Sequence, residues 1–327
     1  MINKFYNKVN NLDLNLIIKK IKIKNKLNSI NKVKINNITT LDQSKKNDVT
    51  FFHSVKYLPL IPKIKASYII TNEKFSKFFN KKQKLLIVDN VLLSVAKLTS
   101  LFYPDALNDD FESNFIDASE YKKFKKLKLG NNVIIGKNVK IGNNTKIGHN
   151  TIIESNVEIG TNCSIGSNVI IKKSIIGNNV YILDGAVIGK KGFGFYPDKN
   201  KNIRYPHIGL VLIGDNVEIG CNNTIDRGSL SNTIIGDNTF LDNQVHIAHN
   251  VKIGKNSIIT AQVGFAGSST IGERVSIGGQ AGISGHLKIG NNVQIAGGSG
   301  VIKNIPDNTK VMGYPAKDIR IFLKENK

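Results

Sequence analysis

LGNNVIIGKNVKIGNNTKIGHNTIIESNVEIGTNCSIGSNVII, residues 129–171, returns an aliphatic residue at every sixth position: Leu129, Ile135, Ile141, Ile147, Ile153, Ile159, Ile165 and Ile171. Gly usually follows it, and Asn, Asp or Ser stand where a turn must be made without a bulky side chain. A short strand and a corner fit six residues, so three hexapeptides make one triangular coil of 18. The expected architecture is an all-β parallel β-helix, a triangular prism with its aliphatic residues inside.

The period slips by one near Ile176-Gly177 and fails from Lys190 to Leu212 (KKGFGFYPDKNKNIRYPHIGLVL), a segment expected to be a loop extruded from one coil. It resumes at Ile213 and Ile219, shifts again between Asp226 and Ser231, and then runs from Ile235 through Leu241, Ile247, Ile253, Ile259 and Phe265 to Ile295. Residues 1–110 lack it. There VTFFH, ASYIIT and KLLIVD have strand character, with helical stretches at Lys74–Asn80 and Leu92–Phe102, so a small α/β domain is expected. The β-helix is assigned to 111–305, with its loop at about 190–212, and the boundary falls in the polar stretch Asp105–Lys128. Residues 306–327 form a short tail, GYPAK and then a basic helical segment.

Composition agrees with a repeat: 29 Gly and no Trp among 327 residues. Cys163 and Cys221 fit no metal-ligand spacing and are too few for a disulfide framework. No apolar run is long enough to span a bilayer, and a cytoplasmic location is expected. The formal charge is +22, from 46 basic and 24 acidic residues, which suits an acidic partner. Lys, however, accompanies Asn and Ile throughout, so much of the excess is compositional drift.

Four strings together, GFGF (Gly192–Phe195), TIDRGSL (Thr224–Leu230), DNQVHIAHN (Asp242–Asn250) and ISGHLKIG (Ile283–Gly290), resemble the UDP-3-O-(3-hydroxyacyl)glucosamine N-acyltransferases of lipid A biosynthesis. TFFHSVKY (Thr50–Tyr57) resembles that family's uracil-binding segment. By that likeness Phe51 and Tyr57 contact the uridine, and Ser54 stands where the family usually has Asn, so that its hydroxyl must supply the amide's hydrogen bond or the bond is missing. Phe52 is expected in the core. The resemblance further implies a left-handed prism, a cyclic homotrimer, and a (3R)-3-hydroxyacyl donor carried on acyl carrier protein. No soluble cofactor or metal is required, since 4'-phosphopantetheine arrives on the carrier.

His249 lies two residues past Ile247, at a corner, and the same corner in the next two coils is Gly267 and Gly285. One level can then move a proton, and two levels let a thin pantetheine arm approach the backbone. His249 is expected to take a proton from the glucosamine 2-amino group as it attacks the thioester, while the Gly267 N–H donates to the oxyanion. His286, one residue past Gly285, is expected to contact donor or acceptor. His246 is left outside the catalytic set. Asp242 either caps its own turn or orients the base across a subunit interface. Asp226 and Arg227 either hold a phosphate or shape the irregular coil.

The rivals are the UDP-N-acetylglucosamine O-acyltransferase of the same pathway, which lacks a domain like 1–110, and a non-catalytic β-helix scaffold. A γ-class carbonic anhydrase would need two His five residues apart, which His246 and His249 are not. A nucleic-acid partner is not expected, for want of aromatic platforms among the basic residues.

Overall fold

The computed structural model describes residues 4–27, 32–108, 111, 113, 115–116, 120, 126–197 and 201–325. The chain divides into two compact units, one of residues 3–108 with 194–208 and one of residues 109–193 with 209–327. The expected boundary at 110/111 falls where residues 109 and 110 lie outside the described ones.

The first unit is α/β. A parallel sheet runs β1 (Asn37–Ile38), β2 (Asp48–Phe51), β3 (Tyr68–Thr71), β4 (Leu85–Ile87) in that order. Helix α1 (Leu14–Ile21) is capped by Asp13 and buries Leu14, Ile17 and Ile21, one face at helical spacing. Helix α3 (Val91–Phe102) is capped by Asn90 and buries Val95, Leu98 and Phe102. Between them α2 is only Glu73–Ser76, shorter than the stretch to Asn80 that composition suggested. Phe52 is fully buried, with Phe75, Phe78 and Phe79 edge-on around it. Residues 194–208, expected as part of the prism domain, fold with this unit instead: the Tyr6 hydroxyl donates to the His207 carbonyl at 3.1 Å.

The second unit is a parallel β-helix, with three sheets of eleven, nine and eight strands among the described residues. Partners across a regular coil stand 18 apart, as Ile147 with Ile165 and Ile247 with Phe265. The inward residues Ile135, Ile153, Ile171, Ile225, Ile247, Phe265 and Ile283 stack into one continuous buried core. Corners recur with the same period. Asn132, Asn138, Asn144, Asn150, Asn156, Asn162 and Asn168 all have φ between 56° and 67°. That left-handed conformation costs most residues about 1–2 kcal/mol and costs Asn less, which explains the Asn-rich composition. Stacked corners also join through their amides, as Asn132 Nδ2 to Asn150 Oδ1 at 3.0 Å.

Two irregularities matter for the site. Ile159 pairs with Ile176, a step of one residue fewer, which is the slip visible in the sequence. Thr224 pairs with His246, so this coil carries four residues more than a regular one, between Asp226 and Thr233. The tail forms α4 (Ile319–Glu325).

Candidate functional site

One face of the prism holds β5 (Thr224–Arg227), β6 (His246–Ile247), β7 (Gly264–Phe265), β8 (Gly282–Ile283) and β9 (Gly300–Val301) in spatial order. Strand alternation points Ile247, Phe265, Ile283 and Val301 inward, so the outward column reads His246, Gly264, Gly282, Gly300. A Cβ at Gly264 or Gly282 would meet nothing within 4 Å. The result is a groove of about 810 Å³ over this face, with His246 and His249 in its lining, Phe193 of the GFGF string against it, and Tyr314 at the Gly300 level. A Cβ on Gly300 would strike the Tyr314 ring, which closes on that glycine.

His249 follows Ala248 at the corner beyond β6. Its ring edge, Cε1 and Nε2, lies against Gly267 of the next coil, where a Cβ would come within 2.7 Å of both atoms. Gly267 is thus required for the ring's position. The two backbones are tied by the Ser268 N–H donating to the His249 carbonyl at 3.0 Å, and the His286 N–H donates to the Gly267 carbonyl at 3.0 Å. The Gly267 N–H donates to no protein group among the described residues. On its other side His249 meets its chain neighbour, with Nδ1 2.8 Å from Asn250 Oδ1.

Asp242 Oδ1 accepts the N–H of Asn243 at 2.7 Å, capping its own turn. Gly285 and His286 sit at the corners above Gly267, outside the groove lining, and His286 has φ 62°. Arg227 is buried and Nη1 donates to the Gly189 carbonyl at 3.0 Å, so it braces the irregular coil rather than facing a phosphate. In the first unit, Phe51, His53 and Tyr57 form a row, with ring centroids 5.7 Å and then 5.2 Å apart. Burial raises the Tyr57 phenol pKa. The Ser54 hydroxyl caps the following 3-10 helix by accepting from the Lys56 N–H at 3.4 Å.

Three features escaped the sequence reading. The column Gly264, Gly282, Gly300 recurs at 18 from His246 and was open to the same arithmetic that found Gly267. His246 lines the groove, its Nδ1 2.7 Å from the Thr224 hydroxyl, and loss of water around the ring lowers its pKa from the ordinary histidine value. The contact between Asn250 and His249 has no spacing signal, being a matter of rotamer.

Comparison with known proteins bears on both units. The family model described as UDP-3-O-(3-hydroxymyristoyl) glucosamine N-acyltransferase matches residues 32–101, within the first unit. The bacterial transferase hexapeptide model matches 126–161, 138–173 and 232–267. The chain is 43% identical over 298 residues to UDP-3-O-acylglucosamine N-acyltransferase 2 of Legionella pneumophila (strain Paris), covering 89% of this chain and 85% of that one. It is 42% identical over 223 residues to UDP-3-O-acylglucosamine N-acyltransferase of Rickettsia bellii, covering 67% and 65%. Among solved structures it resembles the UDP-N-acetylglucosamine acyltransferase from Campylobacter jejuni, with TM-score 0.53 and 25% identity over 58% of this chain and 73% of that one.

Proposed function

The chain belongs to the UDP-3-O-acylglucosamine N-acyltransferase family, and from that premise we propose that it transfers a (3R)-3-hydroxyacyl group from acyl carrier protein to the 2-amine of UDP-3-O-acylglucosamine, on the route to lipid A, with His249 as general base. The observation that carries this is the His249 ring seated against Gly267 in the lining of a glycine-floored groove. A flat backbone floor admits an extended chain, and imidazole is the side chain whose chemistry best suits proton transfer near neutrality.

In the reaction the amine nitrogen attacks the thioester carbonyl and the C–S bond breaks. His249 Nε2 takes the amine proton and returns it to the departing sulfur, so that the pantetheine leaves as a thiol on the carrier. The Gly267 N–H is the oxyanion donor. A general base is worth about 10²–10⁴ in rate and one such donor about 10²–10³. Phe51 and Tyr57 hold the uracil, with His53 between them as an additional ring.

A trimer is the assembly that fits. On another face of the prism Phe240 and Ile258 stand next to each other in one outward column at 43% and 53% exposure, an apolar pair suited to a neighbouring copy, with Glu218 between them and Tyr181. The O-acyltransferase alternative rests on likeness to the prism alone, whereas the match at 32–101 lies outside it.

The test is transfer from 3-hydroxyacyl carrier protein to UDP-3-O-acylglucosamine by wild type and by His249→Ala. The expected result is a diacyl product whose rate falls by about 10² or more in the variant, with the oligomer intact. Acylation of UDP-N-acetylglucosamine alone, or of neither acceptor, overturns the assignment.

A further inference from the structure

We propose that Asn250 is the positioning residue of His249: its side-chain amide, clamped from both ends by the four-residue excess of the preceding coil, fixes the imidazole as the Nδ1–H tautomer and leaves the Nε2 lone pair for the base. The role in catalysis rests on the reading of His249 given above. The clamp itself does not.

Which way the amide points is settled by partners that have no choice of role. Asn250 Nδ2 donates to the Ser231 carbonyl at 2.8 Å, and a carbonyl can only accept. The Ser229 backbone N–H donates to Asn250 Oδ1 at 3.1 Å, and a peptide N–H can only donate. Flipping the amide would break both contacts and set donor against donor and acceptor against acceptor. The serine hydroxyls follow suit: Ser229 Oγ donates to Oδ1 at 2.8 Å, and Ser231 Oγ accepts from Nδ2 at 2.7 Å. The backbone is held as well, the Asn250 N–H donating to Thr233 Oγ1 at 2.9 Å with φ at 64°.

With the amide fixed, the atom 2.8 Å from His249 Nδ1 is an oxygen that only accepts. Nδ1 must therefore carry the proton, and the neutral ring keeps its lone pair on Nε2. Ser229 and Ser231 lie in the stretch between Asp226 and Thr233 that lengthens this coil from 18 to 22 residues. The lengthening thus has a use: a regular coil has no loop at this corner to reach the amide. Asp242, the other candidate orienter, uses Oδ1 on its own turn. A neutral amide orients the ring without the attraction by which a carboxylate would raise its proton affinity.

The decisive variant is Asn250→Gly, because glycine accepts the left-handed backbone and only the side chain is lost. Asn256→Gly, at the next corner with φ 59°, is the control for the backbone change. Long-range 1H–15N spectra of the full chain, labelled in its histidine rings and assigned with His249→Ala, report the tautomer without any turnover. The expected spectrum is Nδ1–H for wild type and Asn256→Gly, with Nε2–H appearing in Asn250→Gly. An Nε2–H tautomer in wild type, or an unchanged tautomer in Asn250→Gly, overturns the proposal.

Kinetics supply the second readout. Asn250→Gly is expected to lower kcat by about tenfold to 10² with KM for the acceptor little changed, the size of effect that a misplaced group produces. Asn250→Asp keeps an acceptor toward Nδ1; the Ser231 hydroxyl can turn to donate to its other oxygen, while the bond to the Ser231 carbonyl is lost. Its new charge should move the acidic limb of the kcat/KM profile up by about one pH unit or more. An unmoved limb would leave Asn250 a purely structural residue and overturn the positioning role. Loss of the tautomer in a protein whose wild type acylates no amine would support the clamp while removing His249 as base.

Discussion

Along one face of the prism the outward positions are Ile134, Ile152, Ile170 and Val187 in the early coils, and His246, Gly264, Gly282 and Gly300 in the late ones. Their inward neighbours hardly differ: Ile135, Ile153, Ile171 and Ile188 against Ile247, Phe265, Ile283 and Val301, all buried. The scaffold is therefore the same in both regions, and what changes is the covering. Inward residues set the stability of a coil through burial of about 1.5–3 kcal/mol per large aliphatic side chain. Outward residues carry little of that energy and are free to be aliphatic in one half and absent in the other. A groove arises where side chains have been removed from one column.

That contrast predicts where substitutions act on chemistry and where on folding. Gly267→Ala should have the largest effect. Its Cβ must displace the His249 ring, and because a ring can swing away, kcat should fall by about 10² while the melting temperature holds. A variant that keeps wild-type kcat would show that the ring's place against Gly267 is unnecessary. Next comes Gly282→Leu, which meets open space and fills the groove. Transfer from a long-chain donor should lose about tenfold or more in kcat/KM, with folding intact. Ile152→Leu, at the matching position of the early coils, should leave the kinetics unchanged.

The sequence made the early coils almost fully legible, because one signal, an aliphatic residue every sixth position, specifies both strand and core. Corner asparagines were legible for the same reason. His249 over Gly267 also followed from counting by eighteen. The Asn250 clamp did not, since Ser229 and Ser231 reach it from an insertion that breaks the count and whose course no period describes. Likewise residues 194–208 show as an interruption of the repeat, but their fold with the first unit depends on contacts such as Tyr6 with His207, 201 residues apart. Arg227 could equally have faced a ligand in sequence terms. Its burial is a property of the irregular coil alone.

Glycines sharpen the comparison further, because the molecule uses two kinds. Gly142 follows an inward Ile and its Cβ would lie 2.5 Å from the Gly160 carbonyl carbon, backbone that cannot swing aside. Gly142→Ala should destabilise by about 1–3 kcal/mol, as overpacking does. Gly264→Ala meets nothing and should be neutral, or more stable by about 0.5–1 kcal/mol through the smaller entropy of its unfolded chain. Paired denaturant melts measure the difference, and equal midpoints would mean that the coils relax around an added methyl.

The smallest expected effect concerns what asparagine does at the corners. Asn144 combines two properties, a backbone at φ 61° and an amide that donates to Asn162 Oδ1 at 3.2 Å. Asn144→Ala removes both and should cost about 1–2 kcal/mol, mostly for the left-handed backbone. Asn144→Gly removes only the amide contact, since glycine adopts that conformation freely, and an exposed neutral hydrogen bond is worth no more than about 0.5–1.5 kcal/mol. The glycine variant should therefore recover most of what alanine loses. If instead both lose the same amount, the stacked amides and not the turn conformation account for the asparagine at these corners. The late coils, where Gln244, Gln262 and Gln280 form a similar stack at corresponding corners, would then depend on that stack to hold the groove face.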